Sequence, residues 1–361
     1  MERLRPTSPT RFGAAALILV GGFACEPHAG PSYAPDATRD VVTLGGRDLV
    51  LDPAVWTTLE SVASIGDAGR LGAGWALLDG RASSLHLLSD GASRARALAR
   101  HGDGPGELRA PEALARTADT MWVARVSGDH LDGFTAGGFV RRVRLGDPPC
   151  PGGLIQAAAG AGAEVVLGLQ CLSRAGARRL LGRSDPATGV VTWEPFVPGP
   201  EASFASEGLA EGVVSLDRMA LATAPDGATL GRALSGRPCI WVGADGGPGC
   251  LTIHDRPTIP ADLRQEMRRA TLPGLRRLGL DLAESIHEPF LWRLYATSAG
   301  WLVARTDGAH LVLEPFTSEP AWRVRLPEGV DLFVDGGAVL LTREGMAGTE
   351  VARLTLDDLI G

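Results

Sequence analysis

Short apolar runs of about five residues recur along this chain. Each is entered through a turn containing Gly or Asp, and each is followed after a polar loop by a second apolar run, the pattern of paired strands. One copy reads Ala73-Gly74-Trp75-Ala76-Leu77-Leu78, then Leu85-His86-Leu87-Leu88. Equivalent openings are Asp119-Thr120-Met121-Trp122-Val123-Ala124, Ala163-Glu164-Val165-Val166-Leu167-Gly168, Asp226-Gly227-Ala228-Thr229-Leu230, Ala299-Gly300-Trp301-Leu302-Val303 and Gly336-Gly337-Ala338-Val339-Leu340-Leu341. No window shows the sustained helical periodicity of a coiled coil or a long bundle helix.

The interval is 47 residues from Trp75 to Trp122 and 43 from there to Val165, then 64 to Thr229, 72 to Trp301 and 38 to Val339. The short intervals match a four-stranded propeller blade of roughly 40–50 residues. The spacing predicts an all-β fold, a six-bladed β-propeller over residues 40–361, with extra material at about 195–215 and 257–287. Two β-sandwich domains would explain short strands but not the recurring turn and strand. The second insertion carries a helical signal before the fifth blade. Pro260-Ala261-Asp262 opens it, and Leu263, Met267 and Ala270 follow at helical spacing. The last copy lacks one strand, and Asp40-Val41-Val42-Thr43-Leu44 is a β-like stretch at the other end that could complete it.

The 48 Gly and 25 Pro suit a fold of many tight turns. All 35 basic residues are Arg, with neither Lys nor Asn present, which excludes a Lys Schiff base, an Asn-linked glycan and any Asn metal ligand. A net charge of −7 gives no electrostatic reason to expect nucleic acid as a partner.

Arg3, Arg5 and Arg11 precede an uncharged run from Phe12 to Ala24, too short to span a bilayer, which needs about 20 residues. This is the layout of an export signal. Gly22-Phe23-Ala24-Cys25 resembles the lipobox of bacterial lipoproteins, with Gly22 where Leu is usual; an ordinary secretory signal cut nearby is the alternative. Residues 1–24 are thus read as a signal peptide, Cys25 as the lipidation site, and 25–39 as a tether. The resulting location is the cell envelope, periplasmic or surface face, with the lipid as the membrane contact. Four cysteines remain. Cys239 and Cys250 flank a Gly-rich turn between two strand ends and are expected to pair across a hairpin, which leaves Cys150 with Cys171. None has a ligand-spaced His or second Cys, so no metal is expected.

His101-Gly102-Asp103-Gly104-Pro105-Gly106-Glu107-Leu108, followed by Pro111, resembles the GxGxGPGEF-type loop of bacterial six-bladed propellers of the NHL-like and TolB-like kinds, often borne by lipoproteins. The likeness runs from Leu98 to Leu145. It departs from an NHL repeat where Asp129 stands for Asn and Leu131 for Arg. It implies a fold, not an activity. With no following Lys or helix, the loop is read as an interblade turn and not as a phosphate cradle.

The seven His are scattered without HxH or HExxH spacing, and no GxSxG elbow is present. Asp129-His130 lies in the densest polar cluster, and His254-Asp255 and His287-Glu288 flank the helical insertion; these six are the candidate ligand-facing residues. Trp75, Trp122 and Trp301 recur at equivalent places and are read as blade packing. No catalytic residue and no cofactor are assigned. The expectation is a non-catalytic envelope propeller lipoprotein that binds a protein partner or an extracellular ligand. A propeller hydrolase or lyase acting at the central channel is the alternative.

Overall fold

The computed structural model describes residues 47–49, 51–150, 152–173, 176–196, 213–214, 218–234, 239–243, 250–252, 281–282, 293–298, 300–306, 311–316 and 323–360, with isolated positions at 265, 269 and 276. The described residues build a β-propeller. Five sheets are each made of four consecutive strands paired antiparallel. The first comprises Ile65–Arg70, Gly74–Asp79, Ser84–Ser89 and Arg96–His101, with Glu107–Leu108 added in parallel at its edge. The second comprises Pro111–Thr117, Thr120–Arg125, His130–Thr135 and Gly138–Arg144. The third comprises Leu154–Ala161, Glu164–Ser173, Gly176–Ser184 and Val191–Pro195. The fourth comprises Met219–Thr223, Leu230–Leu234, Cys239–Gly243 and Cys250–Thr252. The fifth comprises Arg293–Thr297, Gly300–Thr306, Leu311–Phe316 and Val324–Arg325, with Arg47–Asp48 parallel on its edge.

The repeat spacing predicts six equivalent units, and the structure corrects this to five self-contained blades. A further four-stranded sheet is a joint between early and late parts of the chain. Val330–Asp335, Ala338–Gly345 and Gly348–Thr355 supply three strands, and Thr57–Leu59 pairs antiparallel with the last of them. Those three strands alone would leave an open edge, which the early strand covers. The closing strand is Thr57–Leu59, whereas Asp40 to Leu44 lies outside the described residues. The helix expected from Pro260 also lies outside them except at isolated positions. The described α-helix is instead Leu356–Ile360, opened by reciprocal caps between Thr355 and Asp358.

The first strand of every sheet touches the first strand of the next, and Val330–Asp335 returns to Ile65–Arg70, so these strands ring a central channel. Second strands are covered on both sides by neighbouring blades, which is why Gly74–Asp79 is buried along its whole length and reads as an apolar run. Outer strands such as Arg96–His101 face water and are polar. Each seam between neighbouring sheets has its own apolar cluster. Trp75 and Phe333 pack between the joint and the first blade, and Trp122 and Val165 between the second and third. Trp241 and Met219 pack between the third and fourth. The Trp residues of the second strands are therefore packing residues, as their recurrence implies.

The Cys150–Cys171 disulfide forms as expected, with Cα atoms 5.9 Å apart. It ties the approach to the third blade to that blade's second strand. Its ends are 21 residues apart, so removing it in a Cys150→Ser, Cys171→Ser variant is expected to lower unfolding free energy by about 3 kcal/mol, read from urea midpoints. For the other cysteines the backbone register is offset: Cys239 lies opposite Thr252, and Cys250 opposite Trp241, so they are diagonal on the hairpin and not facing.

Candidate functional site

The ends of the first strands converge on one end of the channel, where Arg116, Ala118, Gly160, Thr223, Ala296 and Asp335 border a cavity of about 590 Å³. Their beginnings therefore gather at the other end. There a polar side chain stands within the first three residues of each first strand, or just before it: Asp67, Glu112, Gln156, Arg218, Arg293 and Asp331. These six polar residues comprise three carboxylates, two guanidinium groups and one amide.

Part of this set holds the blades together. The Asp67 carboxylate accepts from Leu114 N at 2.8 Å, in the next blade, and from Ala68 N at 2.9 Å. Burial pushes its carboxyl above the ordinary range, against the pull of Arg293 and the two amides. Gln156 accepts from Met219 N at 3.2 Å across the next seam and donates to Gln170. Arg293 donates to Gly66 O at 3.3 Å and lays its guanidinium 4.1 Å over the Phe333 ring, spanning the joint. Asp335 does the same work at the opposite end, accepting from Arg70 N at 2.7 Å. Tyr295 donates to Leu332 O.

Glu112, Arg218 and Asp331 are exposed instead. Glu112 and Arg218 border a pocket of about 150 Å³ with Gln156 and the apolar Val126, Leu154 and Ile155. Leu154 is an exposed large apolar side chain. Partial burial pushes the Glu112 carboxyl above its ordinary value. Arg218 opposes this and Asp67 adds to it. A carboxyl raised in the folded state disfavours its charged form, so it lowers stability as pH climbs from the unfolded value through the folded one. Glu112→Gln removes that loss. The variant is expected to gain melting temperature relative to the parent near pH 7 and to match it near pH 4, as thermal melts at both values would show.

Two of the sequence candidates fall elsewhere. Asp129 and His130 come together at the turn entering the third strand of the second blade, with His130 Nδ1 2.8 Å from the carboxylate. Burial alone would raise the Asp129 carboxyl, but the Ser127 hydroxyl and His130 outweigh it and hold it below the ordinary range. Neither residue lines the mouth pocket, although Val126 of the same turn does. His254, Asp255, His287, Glu288 and Cys25 lie outside the described residues. Both long interblade connections re-enter the described fold at this mouth, at Arg218 and Arg293. They also pair with each other, Val213–Val214 running parallel to Asp281–Leu282. Among the described residues, no group of three or more His, Cys, Asp or Glu is placed to hold a metal ion. No described helix is long and apolar enough to cross a membrane.

The loop that carries the family likeness is an interblade junction, as read. Arg142 reaches back from the outer strand of the second blade and donates to Asp103 O at 2.7 Å, Gly104 O at 3.0 Å and Glu107 O at 2.8 Å. Glu107 folds over the loop to accept from Gly104 N at 3.0 Å. At Gly102, φ is 154° and a Cβ would fall 2.2 Å from the Glu107 carboxylate, so glycine is required there.

No family model matches this chain. No curated protein matches it either. Among solved structures, it is similar to a member of the DUF4221 family from Bacteroides vulgatus, with 10% identity and a TM-score of 0.54 over 83% of this chain and 95% of that one. Calcium-binding regucalcin from Agrobacterium tumefaciens is similar at 13% identity and a TM-score of 0.45, covering 81% and 91%. Virginiamycin B lyase from Staphylococcus aureus is similar at 12% identity and 0.40, covering 78% and 76%. The first of these supports the propeller fold, and at such identity fold is all that is shared.

Proposed function

We propose that this chain is an exported, lipid-anchored propeller, with the joint sheet serving as its sixth blade, that binds a protein partner or an extracellular ligand without turning it over. The observation that carries the reading is the channel mouth, where the exposed Glu112 and Arg218 border one pocket with the exposed Leu154. The two insertions return to the fold at this same face, which favours it as the recognition surface. The remaining candidates His254, Asp255, His287 and Glu288 belong to the second of these connections. An export signal and lipidation at Cys25 support a face outside the cytoplasm.

The test is capture of small molecules and peptides from an envelope extract by purified protein, with a folded Glu112→Gln, Arg218→Gln variant as the subtraction. Ligand retained equally by both proteins removes the mouth from the reading. Palmitate incorporation lost on Cys25→Ala tests the anchor.

One observation favours the second reading, a hydrolase or lyase. A carboxyl raised above its usual range beside a guanidinium is an arrangement used in acid–base chemistry. Activity profiling on lactones and polysaccharide fragments, repeated on Glu112→Gln and on alanine variants of His254 and His287, decides between the two. Turnover that disappears with any of these variants would make the protein an enzyme.

A further inference from the structure

We propose that the seam between the third and fourth blades binds one small monovalent anion, chloride or its like, on the guanidinium of Arg232. Arg232 lies midway along the second strand of the fourth blade and is only 3% exposed. Successive side chains of a strand point to opposite faces. Gly231 and Ala233 face the fifth blade, where Trp301 packs on them. Arg232 therefore turns the other way with Leu230 and Leu234, into the apolar cluster that these form with Leu181, Phe196 and Trp241. Its Nη1 donates to Phe196 O at 3.0 Å, just past the outer strand of the third blade. Its Nε and Nη2 are buried and have no hydrogen-bond partner among the described residues.

Those two nitrogens form one edge of the guanidinium. Their N–H bonds point the same way, as a fork that closes on a single anion. A buried cation bonded only to a neutral carbonyl carries a heavy desolvation cost unless a negative charge meets it. The carboxylate that acts on it, Glu194, is half exposed and lies 3.7 Å from Arg183. Arg183 stands two residues from Leu181 on the strand that faces this seam, so it adds a second cation. Burial holds the Arg232 guanidinium below its ordinary pKa; Glu194 opposes this and Arg183 adds to it. One negative charge on the fork would balance Arg232. A divalent oxyanion would bring more charge and more acceptors than Leu181, Phe196 and Leu234 can answer, so the small monovalent ion is the better match. A water would fill the fork without neutralising it.

Thermal melts of the full chain in sodium chloride and in sodium gluconate, at equal ionic strength, test this. The expected result is a melting temperature about 2–4 °C higher in chloride than in gluconate, saturating with concentration, as for a ligand bound by the folded state alone. Bromide and nitrate should act as chloride does. Arg232→Met replaces the buried cation by an apolar side chain, so it should melt at or above the parent in gluconate and gain nothing from chloride. Salts also act on any protein surface, so the difference between the two proteins is the readout. A crystal of the parent grown in bromide should show anomalous scattering beside Arg232 Nε and Nη2. If Arg232→Met loses its fold, the bromide crystal decides. No gain from chloride in the parent, an equal gain in Arg232→Met, or water in place of bromide at the fork would each overturn the assignment.

Discussion

Asp132→Ala is expected to cost about 3–5 kcal/mol of folding stability, the range for removing one partner of a buried charge pair. Asp132 is 0% exposed and holds two guanidinium groups. Arg142 Nε donates to it at 2.6 Å and Arg125 Nε at 3.4 Å. Arg125 has a side chain only 8% exposed, so without Asp132 a cation stays in the blade interior with little compensation. The loss extends beyond the pair. Arg142 is also the donor to three carbonyls of the junction at residues 102–108, and Asp132 fixes its approach. Asp132→Asn, which keeps the shape and one acceptor, should cost less. Arg142→Ala should loosen the junction while leaving Asp132 with Arg125. Urea unfolding of the three variants, with hydrogen exchange over residues 100–110, would show this order. Equal and small losses would mean that the clamp does not hold the blade.

Gly160→Ala is expected to cost about 3 kcal/mol, the upper end for overpacking, because the obstacle is backbone. A Cβ at Gly160 would stand 1.7 Å from Arg116 O, where the first strands of the second and third blades nearly touch. A side chain in the way could rotate aside, but this carbonyl belongs to a paired strand. The two blades must separate or the channel wall must buckle. Gly146→Ala is the control, since nothing lies within 4 Å of its added Cβ, and it should change stability by a few tenths of a kcal/mol. Thermal melts of both variants suffice. A Gly160→Ala protein as stable as the control would mean that the blades do not approach as described.

The second strands were readable because neighbouring blades cover both their faces, so Trp75 to Leu78 and Val165 to Leu167 appear as unbroken apolar runs. The first strands were not, for a physical reason. One of their faces lines the channel, where small and polar residues are tolerated, and stretches such as Leu154–Ala161 look like loop or linker. The polar residues of the mouth are drawn from those strands, so nothing in the apolar pattern singles out Glu112 or Arg218. The polar cluster at Asp129 to Asp132 was visible, but its role was not. Its buried member is Asp132, whose partner Arg142 comes from the next strand and whose target is the junction loop.

The pairing of Thr57–Leu59 with Gly348–Thr355 also sets a timetable for assembly. A strand that emerges early must wait for one near the end of the chain. During synthesis the protein is an unfinished spiral with a bare sheet edge at each end, each able to recruit a foreign strand. Blades can form one after another as they emerge, but the ring cannot lock until the final hairpin arrives. Truncation anywhere before that hairpin would therefore yield a sticky fragment and not a smaller propeller.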